Sequence, residues 1–275
     1  MKTLFMTILI LNCFLYPLFG QQTLNVTASL SKTTYLVGEP VDLLVEYRNA
    51  GSVTIKKGNT SVAGVEIMNE KKEIIYDKGF PCNYSAEDRD YLPGESTFRF
   101  VDLCETYGKG LYYKHAPGYF DAGNYTVIIK HGLPGGKLKQ TYLRFRVVNP
   151  KGDELLVFNS AKSIMSGDRA DEQTEGLIKL YEKYPNSVYS PIILEMIESY
   201  YGFRINDLDK YYKYIGELID RYPWSSHARS CIPNALKGKK SKEERVALLK
   251  KIITNSKGHS IEKMYEKQLQ KALQE

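Results

Sequence analysis

Val41-Asp42-Leu43-Leu44-Val45-Glu46-Tyr47 is the stretch that decides the fold of the first half of the chain. Its odd positions are apolar, and Asp42 and Glu46 lie between them, which is the two-residue period of a strand that buries one face. Leu44 breaks this alternation. Residues 142–147 show the same period, with arginines on the alternate positions. Both segments are therefore predicted to be strands with one face in a core.

Short runs rich in Val, Ile, Thr, Tyr and Phe continue on both sides of this stretch, separated by Gly, Pro and Asn. The predicted strands are Leu24 to Leu30, Val41 to Tyr47, Val65 to Met68, Ile74 to Tyr76, Thr97 to Val101, Tyr125 to Lys130 and Thr141 to Val148. Val37-Gly38-Glu39-Pro40 and Leu92-Pro93-Gly94-Glu95 are predicted turns. About seven short strands at this spacing predict an all-β sandwich over residues 21–149.

The segment Asp121-Ala122-Gly123-Asn124-Tyr125-Thr126-Val127 resembles the Asp-x-Gly-x-Tyr-x-Cys signature of strand F in immunoglobulin domains. The resemblance implies an immunoglobulin-like sandwich with a tyrosine corner, in which the Tyr125 hydroxyl bonds to upstream backbone and Asp121 and Gly123 shape the turn. Val127 stands where the family has its inter-sheet cysteine. Any disulfide of this domain must therefore lie elsewhere.

The period of the apolar residues changes after Pro150. Leu177, Ile178, Leu180 and Tyr181 recur three and four positions apart, which is typical of one face of a helix. The sequence therefore predicts a second, all-α domain over residues 150–275.

Part of this half repeats. Residues 177–187 align with residues 215–225, a shift of 38 positions, and a poorer third copy runs from 248 to 260. The aligned turn residues are Tyr184, Pro185 and Ser187 in the first copy and Tyr222, Pro223 and Ser225 in the second. Proline ends one helix, and the serine is predicted to cap the next.

The Tyr-Pro-x-Ser turn between amphipathic helices resembles the tetratricopeptide repeats of bacterial envelope proteins, whose period is about 34 residues. This resemblance implies helix pairs that stack because none can bury its apolar face alone. It also implies a concave surface for a protein or peptide partner.

The N-terminus is predicted to be a cleavable signal peptide. Lys2 precedes an apolar run, and residues 1–20 have the charged start and apolar core of such signals, so the mature protein is expected to begin near Gln21. An uncleaved anchor is the alternative, although a span needs about 20 apolar residues and Asn12 and Pro17 interrupt this one. No transmembrane segment is predicted after cleavage, and the expected location is secreted, or periplasmic in the cell envelope.

Three cysteines follow the signal. Cys82 and Cys104 lie in the same half and are the expected disulfide in an oxidising compartment. Cys231 is then unpaired and is expected to be a small apolar side chain in a helix. His227 lies four residues before Cys231, but a thiol nucleophile or a metal site would need a further group, and the neighbouring sequence offers none.

Four glycosylation sequons lie in the β half, and they matter only if the chain passes through a eukaryotic secretory pathway. Their asparagines are Asn25, Asn59, Asn83 and Asn124.

Catalytic and cofactor motifs are not found, and no metal-ligand spacing emerges. The net charge of +6 is not gathered into the basic face that nucleic acid requires. Of the 22 tyrosines, nine lie between residues 181 and 222 in the predicted repeats, and tyrosine suits the recognition of peptides. The functional hypothesis is an exported, non-enzymatic protein-binding or scaffolding protein whose helices bind the partner. An adhesion or inhibitor module that binds through loops of the sandwich is one alternative, and a hydrolase with a site around Cys231 is another.

Overall fold

The computed structural model describes residues 23–56, 61–78, 90–106, 120–133, 137–239, 241–259 and 261–274. Within these ranges a β region is followed by a helical region, so the predicted order of strands and helices is confirmed. The predicted signal peptide, residues 1–20, lies outside the described residues.

Eight strands form two sheets. Their bounds are β1 Leu24–Leu30, β2 Thr34–Leu36, β3 Asp42–Asn49, β4 Ser61–Asn69, β5 Ile74–Lys78, β6 Ser96–Asp102, β7 Gly123–Leu133 and β8 Lys137–Val148. The smaller sheet has the order β1-β3-β6, and the larger has the order β2-β8-β7-β4-β5. A single helical turn, Leu103–Thr106, follows β6. Neighbouring strands are antiparallel except β2, which pairs in parallel with β8.

The inward faces of the two sheets share one apolar core. Leu43, Val45 and Tyr47 point into it from β3, as the alternation predicts. From the opposite sheet, the rings of Tyr125 and Phe145 stack with their centroids 5.2 Å apart. Burial of such large side chains is the main stabilising term of a sandwich, at roughly 25 cal/mol per Å² of apolar area.

Strand β2 was not among the predicted strands. It is three residues long, and its register with β8 places Tyr35 opposite Val147. The chain then turns at Gly38, whose φ of 84° is the left-handed conformation that favours glycine. This turn lets β2 join the larger sheet while β3 enters the smaller one.

Seven long helices make up the described helical region. They are α1 Gly152–Met165, α2 Ala170–Lys183, α3 Ser190–Ser199, α4 Leu208–Arg221, α5 Ser226–Lys237, α6 Lys242–Asn255 and α7 Glu262–Gln274. Between α3 and α4, residues Tyr200–Ile205 form a π-helical segment. In the part of the chain that the structure describes, no helix has both the length and the apolar character needed to cross a bilayer.

The prediction of tetratricopeptide repeats is wrong for this region. The helices range from 10 residues in α3 to 14 in α1, and α3 continues directly into the six-residue π segment, which interrupts a regular pairing. A Tyr-Pro-x-Ser turn specifies how one helix ends and the next begins. It carries no information about the spacing of later helix pairs, so a repeated turn does not establish a repeated fold.

The helical region packs against the outer face of the smaller sheet. Leu44, which breaks the alternation of β3, is 4% exposed and pairs in register with Phe100, whose ring contacts the helical core. Val37 contacts both cores, and its carbonyl accepts a hydrogen bond of 2.7 Å from the Tyr189 hydroxyl. The contact between this face of the sheet and the helical region therefore explains why β3 has the apolar Leu44 at a position where the alternation would place a polar residue.

Two ion pairs also cross the interface. Arg229 Nη1 lies 3.2 Å from Asp42 Oδ1, with side chains only 10% and 8% exposed. Lys267 Nζ lies 2.8 Å from Glu46 Oε1, but there the side chains are 50% and 24% exposed. Because desolvated charges interact more strongly than solvated ones, the Arg229 pair is expected to dominate the coupling of the two regions.

Candidate functional site

A groove of about 530 Å³ opens where α1, α2, α3 and the π segment meet. Thr174, Leu177 and Met196 line it and are themselves buried, so they form its floor. Ala170 and Ser199 contribute small side chains. An apolar floor with small neighbours allows a guest side chain to enter and a guest backbone to approach closely.

The rim of the groove is exposed and carries both charges. Phe203 is 78% exposed although it is a large aromatic residue. Arg204 and Asp168 also line the opening and are exposed. A guanidinium and a carboxylate at one opening can orient a bound segment that carries the opposite charges.

The π segment determines where Phe203 lies, and the packing of Gly202 against Tyr211 shapes this segment. A Cβ atom on Gly202 would lie 2.6 Å from the Tyr211 ring, so glycine is required for Tyr211 to pack here. The segment ends at Asn206, whose φ of 57° is left-handed, and Asp207 then caps α4 by accepting from the Lys210 backbone amide at 3.1 Å. π-helical segments occur frequently at functional sites.

Apolar residues extend from the rim onto the neighbouring surface. We call this set the apolar surface; it consists of Phe203, Ile205, Leu208 and Tyr212, with exposed fractions of 78%, 53%, 51% and 65%. These residues follow one another along the π segment and the first turns of α4. Grouped exposed apolar residues of this kind mark interaction sites, whereas single ones are ordinary.

The groove lies apart from the interface between the two regions. The polar contacts described above between the helical region and the sandwich come from Tyr189, Arg229 and Lys267. The groove is lined by the end of α1, the first half of α2, the second half of α3 and the π segment. Docking of the helical region against the sheet therefore leaves this surface open to solvent.

The three residues of the predicted tyrosine corner come together in the structure. The Tyr125 hydroxyl donates to the Asp121 carbonyl at 2.8 Å. Gly123 begins β7, and a Cβ there would be 3.8 Å from the Tyr125 ring, which is ordinary contact. Burial raises the pKa of Tyr125, so its hydroxyl remains a donor across the physiological range. This site is structural and is distant in sequence from the groove.

The two Tyr-Pro-x-Ser turns lie in contact. They join α2 to α3 and α4 to α5, and the Tyr222 hydroxyl donates to the Pro185 carbonyl. Ser225 caps α5 as the sequence predicts. Ser187 does not cap α3; its hydroxyl donates to Glu154 Oε2 at 2.6 Å and ties α1 to the turn instead.

The predicted disulfide falls partly outside the described residues. Cys82 lies there, whereas Cys104 is described as a free, buried thiol that donates to the Glu39 carbonyl at 3.4 Å. The bridge stays a prediction. Of the sequon asparagines, Asn25 on β1 and Asn124 on β7 are exposed, and Asn59 and Asn83 lie outside the described residues.

Sequence reasoning missed the groove. Its lining residues come from two separate segments, residues 165–177 and 196–204, and none belongs to a chemical motif. The one available signal was Gly202-Phe203-Arg204-Ile205, where two large apolar residues flank a charge beside a glycine. Within the described ranges, no group of three or more His, Cys, Asp or Glu side chains could hold a metal ion.

Comparison with known proteins shows only weak structural similarity to solved structures. No protein-family model and no curated protein matches the chain. Among solved structures, the CARDB domain of a Pyrococcus furiosus protein matches 47% of this chain and 96% of its own, with 11% identity and a TM-score of 0.28. The C-terminal domain of wzt matches 48% of this chain and 78% of its own, with 12% identity and a TM-score of 0.31.

The sporulation control protein Spo0M of Bacillus subtilis matches 52% of this chain and 56% of its own, with 16% identity and a TM-score of 0.27. Scores this low carry no inference about function. No tetratricopeptide protein is among the matches, which agrees with the irregular helices and overturns the combined immunoglobulin and tetratricopeptide assignment.

Proposed function

We propose that this chain is an exported, non-enzymatic protein-binding protein whose helical region holds a peptide segment of its partner in the groove. The observation that supports the proposal most strongly is Phe203, a large aromatic side chain 78% exposed at the rim of a groove with a buried apolar floor. Aromatic residues at such positions are typical binding hot spots.

A protein partner fits this site better than a small molecule does. The groove volume of about 530 Å³ would suit either guest. The apolar surface, however, continues from Phe203 through Ile205 and Leu208 to Tyr212, outside the groove. A small molecule in the groove would leave that surface exposed, whereas a protein segment would cover both.

The chemistry of the lining defines the expected guest. One apolar side chain would occupy the floor formed by Leu177 and Met196, and methionine adapts readily to different shapes. A carboxylate of the guest would lie near Arg204, and an amine or guanidinium near Asp168. The expected ligand is therefore an exposed segment with an apolar anchor between opposite charges.

We also infer that the sandwich is immunoglobulin-like and serves as the support for the helical region. The sheet orders β1-β3-β6 and β2-β8-β7-β4-β5, with β2 parallel to β8, support this classification. The hydrogen bond from Tyr125 to Asp121 supports it further, because it is the interaction that defines a tyrosine corner. Through Asp42 and Val37 the sandwich positions the helices.

Site-specific photo-cross-linking in the native host tests the proposal. A photoreactive phenylalanine analogue replaces Phe203 in one variant and Tyr142 in a matched control, since Tyr142 is an aromatic residue 58% exposed on β8. We expect one protein adduct from position 203 and none from position 142. An equal pattern at both positions would contradict the proposal.

A third position tests the alternative, in which loops of the sandwich bind the partner. Leu92 is 58% exposed in the turn before β6 and is suited to the same analogue. An adduct at position 92, with none at position 203, would establish the adhesion or inhibitor hypothesis in place of ours.

A further inference from the structure

Strand β1 is an edge of the smaller sheet, and among the strands that the structure describes it pairs with β3 alone. An edge strand presents a row of backbone N–H and C=O groups that another strand can bind, and proteins usually protect it with charges, proline or a short length. Edge strand β5 contains Asp77 and Lys78, β6 contains Arg99 and Asp102, and β2 has three residues. The seven residues of β1, Leu-Asn-Val-Thr-Ala-Ser-Leu, include neither a charge nor a proline.

Hydrogen bonds just beyond the two ends of β1 show which residues face the open edge. The Ala50 N–H donates to the Thr23 carbonyl at 2.8 Å, and the Ser31 N–H donates to the Asp42 carbonyl at 3.4 Å. The odd-numbered residues therefore bond toward β3. Because alternate residues of an antiparallel strand direct their backbone groups to opposite edges, the even-numbered residues face the open one. These are Leu24, Val26, Ala28 and Leu30.

The sequence of β1 is nearly the same in both directions about its central residue, Thr27. A second copy can run antiparallel with its Thr27 opposite the first. In this register Leu24 lies opposite Leu30, an apolar pair at each end. Val26 lies opposite Ala28, so the pairs that meet along the edge are the even-numbered residues whose backbone groups face it. About eight backbone hydrogen bonds would then join the two copies.

The inner side chains of β1 fit this register. Val26 is 5% exposed in the core of the sandwich, and Leu24, Ala28 and Leu30 are partly buried against the same core. Pairing of two copies would bring these four side chains together with their counterparts. The apolar cores of the two sandwiches would thereby become continuous along the edge, which removes further apolar area from water.

The outer side chains of β1 fit it as well. Asn25, Thr27 and Ser29 are all exposed. In the antiparallel register Asn25 lies opposite Ser29, and Thr27 lies opposite the Thr27 of the second copy. Such small polar side chains can hydrogen bond across neighbouring strands. Since β1 has no charged residue, the pairing would remove no charge of this strand from water.

We propose that this chain forms a two-fold symmetric dimer in which β1 of one copy pairs antiparallel with β1 of a second copy. The second copy is the expected occupant of the edge because β1 is complementary to itself, in its side chains and in its backbone groups. A two-fold interface requires this self-complementarity. Strand β1 belongs to the sandwich and the groove to the helical region, so the dimer does not depend on the function proposed above.

Sedimentation velocity of the purified chain between about 1 and 100 μM measures its oligomeric state. We expect a reversible equilibrium between monomer and dimer that changes little with salt, because β1 contributes no charge to the interface. A chain that remains monomeric at about 100 μM would overturn the proposal. Open-ended assemblies larger than a dimer would overturn it too, because two-fold pairing uses the β1 edge of both copies.

Thr27 lies on the two-fold axis in the proposed register, so a charge at this position meets its own counterpart. Thr27→Glu places two carboxylates opposite each other and should weaken dimerisation on the order of tenfold or more. Ser29→Glu is the matched control on the same exposed face, where the new carboxylate lies opposite Asn25 and should weaken dimerisation within about threefold. Equal effects of Thr27→Glu and Ser29→Glu would contradict the register.

Mixing two variants tests the axis directly. Thr27→Lys brings an ammonium to the position where Thr27→Glu has a carboxylate, so the two variants together should form a mixed dimer at concentrations where Thr27→Glu alone is monomeric. A mixture that stays monomeric would contradict the pairing of position 27 with itself. Circular dichroism of each variant establishes that it is folded before the measurement.

Ala28→Pro tests the backbone bonds. Proline removes the Ala28 N–H, which faces the open edge, and proline is tolerated in an edge strand when the missing N–H points away from the sheet. We expect this variant to fold and to remain monomeric up to about 100 μM. A dimer that persists in both Ala28→Pro and Thr27→Glu would place the interface elsewhere and refute the proposal. Should Ala28→Pro fail to fold, the variants at position 27 still decide.

Discussion

The buried ion pair between Arg229 and Asp42 is expected to be the main polar link between the two regions. Arg229 Nη1 contacts Asp42 Oδ1 at 3.2 Å and the Trp224 carbonyl at 2.7 Å, and its guanidinium lies 4.6 Å from the centre of the Phe100 ring. Arg229→Met removes all three interactions and leaves the Asp42 carboxylate buried without a counter-charge.

The expected loss in the free energy of unfolding depends on which buried charge each variant leaves unpaired. Removing one partner of a buried pair costs about 3–5 kcal/mol, so we expect this loss for Arg229→Met. Asp42→Asn leaves Arg229 with the Trp224 carbonyl and the Phe100 ring, and should cost less, about 2 kcal/mol. The double variant should cost less than the sum of the two, by about 1–3 kcal/mol, because each single variant already breaks the same contact.

Urea unfolding measures these free energies. Trp224 is the single tryptophan, and its ring stacks on His259 with centroids 4.3 Å apart, so its fluorescence reports on the helical region beside the interface. Lys267→Met is the matched control, because the Lys267–Glu46 pair is more exposed and should contribute under about 1 kcal/mol. Two results would contradict a dominant role for the Arg229–Asp42 pair. One is that Arg229→Met lowers the free energy of unfolding no more than Lys267→Met does. The other is that the loss in the double variant equals the sum of the losses in the two single variants.

Three further outcomes are expected. Gly216→Ala on α4, where nothing lies within 4 Å, should raise the free energy of unfolding by about 0.5–1 kcal/mol, while Gly202→Ala, whose Cβ would meet the Tyr211 ring, should lower it. Because the pKa of His227 is raised from 6.5 to about 10, its contribution to stability is fully present below pH 6.5 and is lost as pH rises through 10. His227→Gln should therefore flatten the alkaline fall of the urea midpoint. Tyr125→Phe should cost about 1 kcal/mol, measured by the same unfolding, because it removes one hydrogen bond.

Local periodicity predicted most of the sandwich. The alternation in β3 and β8 reports which side of each strand is buried, and the structure places those apolar residues in the core. Leu44 could not be interpreted in the same way, because it is buried on the opposite face of β3, beside Phe100, and the packing of Phe100 against the helical region is a long-range contact. Strand β2 was missed because three residues are too few to show a period.

The helical half shows why a repeated motif can mislead. Tyr184 and Tyr222 do occupy equivalent turns, yet these turns fix only the local ending of a helix. The π segment depends on the fit of Tyr211 over Gly202, which no local pattern reports. The pairing of Glu198 with His227 joins residues 29 positions apart, so the local sequence around His227 could not predict it.

Affinity for the partner identified by cross-linking tests the central claim most directly. Phe203→Ser removes an aromatic side chain at the groove, and Tyr142→Ser removes one of similar exposure from the sandwich. Loss of a hot spot costs about 2 kcal/mol or more, so we expect Phe203→Ser to weaken binding roughly thirtyfold, and Tyr142→Ser to leave it within about twofold. Equal affinities for the two variants would contradict binding at the groove.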